Sequence, residues 1–404
     1  MDLNEDALAE FLLLNFVLGD HTFRKGEKVK RLLDIPKFEV YEDATVSDVE
    51  NALRESIQRI TNGKEKIGIF LSGGKDSRLL LALTNSLKIN VTAVTISDGT
   101  GGVEDIVGSK VAKTLKIPHK LLRVPNAFSP DIISEIVDLT YGLISFSGIL
   151  PTYLLKNELR DNFDIILSGN LMTEIMDMCE RRWYESNEPI KVTRRKFFRG
   201  ILLKKEYANM VENKFISIYK NKTLEEIILD TEIRNKRIRG VEALNGVGLK
   251  YELPVLDSDV MSAVYSLPFE QRINGRLVKS IMKKTYPELM KIRSTRSIFP
   301  LFSPWWIHEG FKRIRDNIDF IKNDFKLWAG KPRYNRTGMC DRGFHFKYTL
   351  GGYVKEAISE LDLKLIDHDS IKQLLENHFS EQKDYSSDIA KLLTIKIWME
   401  KNFP

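Results

Sequence analysis

Residues 67–77 run from an apolar stretch, Ile67 to Leu71, into Ser72, Gly73, Gly74, Lys75, Asp76 and Ser77. A turn of two hydroxyls, two glycines and one carboxylate suits a pyrophosphate anion. The glycines reach positive φ at little steric cost and let backbone N–H groups approach phosphate oxygens. Ser72 and Ser77 add hydroxyl donors, and Asp76 suits a Mg²⁺ ion carried on the β- and γ-phosphates. The following residues, Arg78 to Leu87, predict a helix whose N-terminal dipole faces the anion. Leu71, with Val94, Ile96 and Ser97 from the next apolar stretch, would then line the nucleoside. The spacing is not that of a Walker loop, because no Gly-Lys-Ser/Thr follows a four-residue spacer. Lys75 reads equally as a phosphate contact or as a solvated charge.

The elements needed to hold this turn are visible around it. Apolar segments near 66–71, 91–96, 119–123 and 163–168 alternate with helical patterns, which predicts an α/β fold with a parallel sheet and a nucleotide at the carboxyl ends of its strands. Before it, residues 5–18 have helical spacing ending at Gly19, residues 21–33 read as a basic loop, and residues 47–60 form a second helix capped by Ser47, with Glu50 reciprocating. After about residue 175 the strand signal fades and amphipathic helices dominate. This divides the chain into an N-terminal helical segment (1–62), a nucleotide-binding α/β domain (63–185) and a largely helical lobe (186–404).

Composition narrows the class. With 404 residues, 43% of them hydrophobic, the chain can bury a large core. No run of about eighteen apolar residues is present, and the start is acidic, so a cytoplasmic protein without membrane contact is expected. Cys179 and Cys340 are the only cysteines, which argues against a disulfide framework, a zinc ribbon or an iron–sulfur cluster. The net charge of +6 is mild, yet basic residues cluster at 181–182, 191–199 and 234–239. These clusters read either as solvated helix faces or as a surface for an anionic partner such as tRNA. The six histidines show no metal spacing, and Trp305, Trp306 and Trp398 read as packing.

The Ser72–Ser77 turn resembles the PP-loop of the N-type ATP pyrophosphatases, which transfer AMP to a substrate oxygen and release pyrophosphate. Phe163 to Glu174 resembles the second nucleotide motif of class II asparagine synthetases, with Ser168, Gly169 and Glu174 in matching positions. Leu253-Pro254-Val255-Leu256-Asp257 is similar to that family's Pro-Phe-Leu-Asp. Lys279 to Lys283 is similar to its Lys-x-x-Leu-Arg, and the first helix with Thr22-Phe23-x-x-Gly26 resembles its interdomain stretch. The resemblance implies ATP and Mg²⁺ as cofactors and a role for Ser168 and Gly169 at the nucleoside. It implies Asp76 and Glu174 as metal anchors, and Lys279, Arg293 and Arg296 at the phosphate and acyl centre.

Departures from the family are equally specific. The family's N-terminal glutaminase cysteine has no counterpart, since residue 2 is Asp, so ammonia would come from a separate glutaminase subunit or the amine from the substrate itself. Asn170 stands where the family has a glutamate used in amide formation, and an amide can orient an amine without taking its proton. Thr173 stands at the second magnesium aspartate, so Glu174 or Asp177 would have to substitute there, and Thr295 stands at a catalytic lysine that Arg296 would replace electrostatically. Lys250 and Glu252 exchange the family's acid and base.

The expected function is therefore an AMP-forming carbon–nitrogen ligase that adenylates a small-molecule or peptide carboxylate and passes the acyl group to ammonia or an amine. A tRNA-modifying enzyme that adenylates a nucleobase oxygen, and a nucleotide-binding homologue without ligation, remain as alternatives. A homodimer is compatible with all three.

Overall fold

The computed structural model describes residues 2–97, 101–125, 128–177, 202–293, 295, 299–304, 306–308, 310, 346, 350–380 and 382–403. Its centre is a five-stranded parallel sheet in the order β3-β2-β1-β4-β5. The strands are β1 (Ile67–Phe70), β2 (Thr92–Ser97), β3 (His119–Arg123), β4 (Ile165–Leu167) and β5 (Tyr251–Glu252). Gly68 pairs with Thr92 on one side and Ile166 on the other, so β1 is the middle strand. From β1 the chain winds outward through β2 to β3, then returns to build β4 and β5 on the opposite side. That reversal opens a crevice beyond the carboxyl end of β1, where such sheets bind ligands. β4 is buried along its length, as expected of a strand covered on both faces.

The four strands expected between 66 and 168 are all present. β5 was not expected: it is two residues long, and its partner Ile166 supplies the pairing that so short a segment cannot encode. It also sends Tyr251 to the face opposite Lys250 and Glu252. Glu252 is raised by burial, with Lys64 as the opposing charge, so the acid–base exchange around Tyr251 does not amount to a local pair.

The helix starting the turn is Lys75–Ser86, three residues earlier than expected, with Gly74 as its N-cap. The second helix is Val46–Thr61, and its cap is Thr45 reciprocated by Asp48 rather than Ser47 with Glu50. Glu50 instead pairs with Arg54 at 2.7 Å. The first helix ends at Leu14, where Asn15 turns left-handed at φ 68°. It is buried on nearly every face because it packs between helices Lys205–Tyr219 and Ser386–Asn402. Trp398 meets Phe23 edge-on at 5.2 Å, whereas Trp306 is 67% exposed and is not packing. A continuous apolar core joins the sheet to both flanking helical regions. Among the described residues no helix is long and apolar enough to cross a membrane.

Candidate active site

Residues from the carboxyl ends of β1, β2 and β4 meet around a cavity of about 390 Å³. Leu71, Val94 and Ile96 supply an apolar wall; Ser72, Asp76 and Ser77 line the anionic end; Ser168, Gly169 and Asn170 close the side. Of the two turn glycines, only Gly73 has positive φ, at 71°. A Cβ there would stand 2.6 Å from Val107 Cγ1, so both backbone conformation and packing demand glycine. Gly74 has an ordinary φ of −66°. A Cβ there would stand 3.2 Å from Ser72 Oγ, a tight contact with the hydroxyl that the Gly74 N–H itself binds. The Gly74 N–H donates to Ser72 Oγ at 3.3 Å, and the Ser72 and Ser77 hydroxyls lie 3.4 Å apart.

Gly169 brings the β4 turn onto the first turn of helix Lys75–Ser86. A Cβ at 169 would lie 3.0 Å from the Asp76 carbonyl carbon and 3.0 Å from the Ser77 nitrogen. Ser168 Oγ accepts from the Tyr251 hydroxyl at 2.8 Å and from the Asn170 N–H at 3.1 Å. Asn170 Oδ1 accepts from the Leu171 N–H at 3.1 Å, so the side chain shapes its own turn, with Leu171 left-handed at φ 70°.

Lys75 is neither solvated nor directed at the phosphate turn. Its ammonium donates to Asp76 Oδ1 at 2.9 Å, to Thr173 Oγ1 at 3.2 Å and, in a very short contact, to Asp177 Oδ2. Burial disfavours its charge, but Asp177 and Asp76 outweigh that and hold its pKa above the ordinary lysine value. The Thr173 hydroxyl donates to Asp76 Oδ2 at 2.5 Å. Glu174 lines the cavity and faces Arg237 at 3.5 Å. Arg237 comes from the widened helical run Leu229–Ile238.

Several expected site residues lie elsewhere. Ser97 is buried and donates to Asp105 Oδ2 at 2.5 Å instead of facing the cavity. Lys279 donates to the Ser303 carbonyl at 3.1 Å and lines a neighbouring cavity of about 800 Å³ with Arg276, Lys283 and Lys291, while its ammonium stays within electrostatic reach of Asp177 and Lys75. The Arg293 carbonyl is gripped by Arg78. Arg296 and the basic clusters at 181–182 and 191–199 lie outside the described residues.

Three cavity or turn residues escaped the sequence reading, Arg78, Glu104 and Tyr251, and Arg237 was read only as part of the basic cluster at 234–239. Arg78 had a signal, a charge directly abutting the apolar run Leu79 to Leu83. Glu104 opens helix Val103–Leu115 and lines the cavity; burial, with Asp105 beside it, pushes its pKa up to about 7.

A parallel sheet with this strand order and a Ser-Gly-Gly-Lys-Asp-Ser turn capping the first crossover helix defines an α/β domain of the PP-loop class. Residues 48–219 match the asparagine synthase family model. It is 26% identical over 271 residues to a putative glutamine-hydrolyzing asparagine synthetase of Methanocaldococcus jannaschii, covering 65% of this chain and 43% of that protein. It is 29% identical over 305 residues to a probable glutamine-hydrolyzing asparagine synthetase of Acanthamoeba polyphaga mimivirus, covering 72% and 49%. The chain thus matches about half the length of these curated relatives. A solved structure, the U34-tRNA thiolase NcsA from Methanococcus maripaludis, aligns over 79% of this chain and 81% of its own with 13% identity and a TM-score of 0.30.

Proposed function

We propose that the chain is an ATP-dependent, AMP-forming ligase that joins a carboxylate to ammonia or an amine. The observation that carries this reading is the single cavity in which the phosphate turn, an apolar nucleoside wall and the polar group Asn170, Glu174 and Arg237 adjoin. The carboxylate oxygen attacks the α-phosphorus, the bond from that phosphorus to the β-bridging oxygen breaks, and pyrophosphate leaves. The amine nitrogen then attacks the acyl carbon, the C–O bond to AMP breaks, and the nitrogen's proton passes to water or to the departing phosphate of AMP.

The chain's own contributions to the first step are positional and electrostatic. Ser72, Ser77 and the N–H groups at the start of helix Lys75–Ser86 receive the pyrophosphate end. Leu71, Val94 and Ile96 exclude water around the nucleoside, and Arg237 offers a guanidinium for a substrate carboxylate. Asn170 and the Tyr251 hydroxyl border the space for the acyl acceptor. Asp76 opens on the cavity and suits one Mg²⁺, which when bound supplies positive charge against the departing pyrophosphate. Thr173 brings no negative charge to a second ion, and its hydroxyl oxygen already accepts from the Lys75 ammonium. Glu174, a candidate metal anchor, faces Arg237 instead, so we assign it to substrate orientation.

ATP–pyrophosphate exchange with pooled amino acids, small carboxylic acids and tRNA tests the reading, with Asp76→Ala as control. Acid-dependent exchange lost in the variant supports the ligase. Exchange driven by tRNA would instead select nucleobase adenylation. ATP binding without exchange would select the homologue that binds without ligating.

A further inference from the structure

The apolar wall of Leu71, Val94 and Ile96 has a carboxyl group beside it, that of Glu104. Glu104 is the second residue of helix Val103–Leu115, which follows the strand that carries Val94 and Ile96. The direction of its side chain follows from Gly108, one helical turn on. Gly108 packs so closely on the wall that a Cβ would stand 2.8 Å from Thr95 Oγ1 and 3.2 Å from the Leu71 carbonyl oxygen. Residues four apart share a helix face and side chains lean towards the N-terminus, so Glu104 continues that face past the end of β2 and into the cavity.

Among the described residues no cation pairs with Glu104; burial and the like charge of Asp105 both favour its protonated form. The other charged groups nearby are engaged or stand elsewhere on the cavity. Asp105 accepts from the Ser97 hydroxyl, His119 on β3 meets Thr95 Oγ1 at 2.8 Å, Glu174 faces Arg237, and Asp76 lies at the phosphate turn. A carboxyl group in this position would repel a phosphate. What it suits is the polar edge of a base whose flat face lies on the apolar wall, because a protonated carboxyl group carries one donor and one acceptor side by side.

We propose that Glu104 reads the base of the nucleotide, its carboxyl O–H donating to N1 of adenine and its other oxygen accepting from the exocyclic amine. This rests on the ATP reading above and adds the recognition of the base to it. An ionised Glu104 still accepts from the amine but has no proton for N1. Its pKa is raised to about 7, so the full pairing is present below neutrality and is lost as pH rises through that value.

Isothermal titration of the full chain with ATP and with purine riboside triphosphate, which lacks the exocyclic amine, tests this without any acid substrate. At pH 6 the wild type should bind ATP about tenfold more tightly than the analogue, and Glu104→Leu should bind the two alike. Glu104→Gln, whose amide offers a donor and an acceptor at every pH, should keep the preference. Between pH 6 and pH 8 the wild type should lose about tenfold more affinity for ATP than Glu104→Gln does. An undiminished preference in Glu104→Leu, an equal loss of both nucleotides in that variant, or the same pH dependence in wild type and Glu104→Gln would overturn the proposal and leave the ATP reading intact. A wild type that binds neither nucleotide would overturn both.

Discussion

Arg78 Nε donates to the carbonyl oxygen of Gly73 at 2.7 Å, so the helix that follows the phosphate turn grips the turn from within. In a trans peptide the carbonyl and the next N–H point in opposite directions, so this grip turns the Gly74 N–H towards Ser72. The same guanidinium, fully buried, reaches the carbonyls of Leu289, Ile292 and Arg293. It ties the nucleotide turn to the loop that carries Arg293. Burial lowers its pKa to about 10, which still leaves it charged at neutral pH.

Arg78→Leu should therefore destabilise the protein by about 3 kcal/mol or more, because it strands several buried carbonyls. Arg78→Lys should recover part of the stability but raise the KM for ATP, since one ammonium cannot span both segments. Denaturant unfolding and exchange kinetics measure the two effects separately.

Gly169→Ala places a methyl 3.0 Å from the backbone of Asp76 and Ser77. Backbone cannot swing aside, so the β4 turn must lift from the helix N-terminus. Nucleotide affinity should fall by about tenfold, equivalent to ~1.4 kcal/mol. Isothermal titration with α,β-methylene ATP checks this.

Glu104 gives a pH dependence of definite sign. Its pKa is raised by burial to about 7 from an ordinary 4.5, so the folded state holds the proton more tightly than the unfolded state. Its contribution is complete below pH 4.5 and is lost as pH rises through about 7. Glu104→Gln should melt at least about 2 °C above the wild type at pH 8, and the difference should vanish towards pH 4.5. Melting curves across that range decide it.

Arg237 is 42% exposed at its side chain and only loosely engaged with Glu174 at 3.5 Å. As the guanidinium for the substrate acid, it should raise the acid's KM by about tenfold when changed to Ala, with the KM for ATP unchanged. Equal rises in both constants would show a structural role instead. Initial rates of exchange at varied acid and ATP separate the cases.

Much of the nucleotide half was legible because its signals are local. Ile67 to Ser77 carries strand, turn and cap within one short window, and the alternation from 66 to 168 gives a parallel sheet directly. What escaped depends on partners far along the chain. Tyr251 becomes a strand residue only by pairing beside Ile166, and its hydroxyl acquires meaning only from Ser168. Lys75 has two reasonable readings when isolated, and Asp177, 102 positions away, selects neither. Ser97 was placed on the cavity by strand position, but Asp105 on the next helix draws its hydroxyl away. The cap at Thr45 rather than Ser47 shows the ordinary competition between neighbouring hydroxyls: each has an acidic residue three positions on, but Glu50 is engaged by Arg54 while Asp48 closes the box with Thr45.

A cation joined to the chain by four methylenes differs from a dissolved one in when it is available. The Lys75 ammonium, held by Asp76, Thr173 and Asp177, is present whether or not a ligand is, so it fastens the start of helix Lys75–Ser86 to the segment after β4 in the empty site as well.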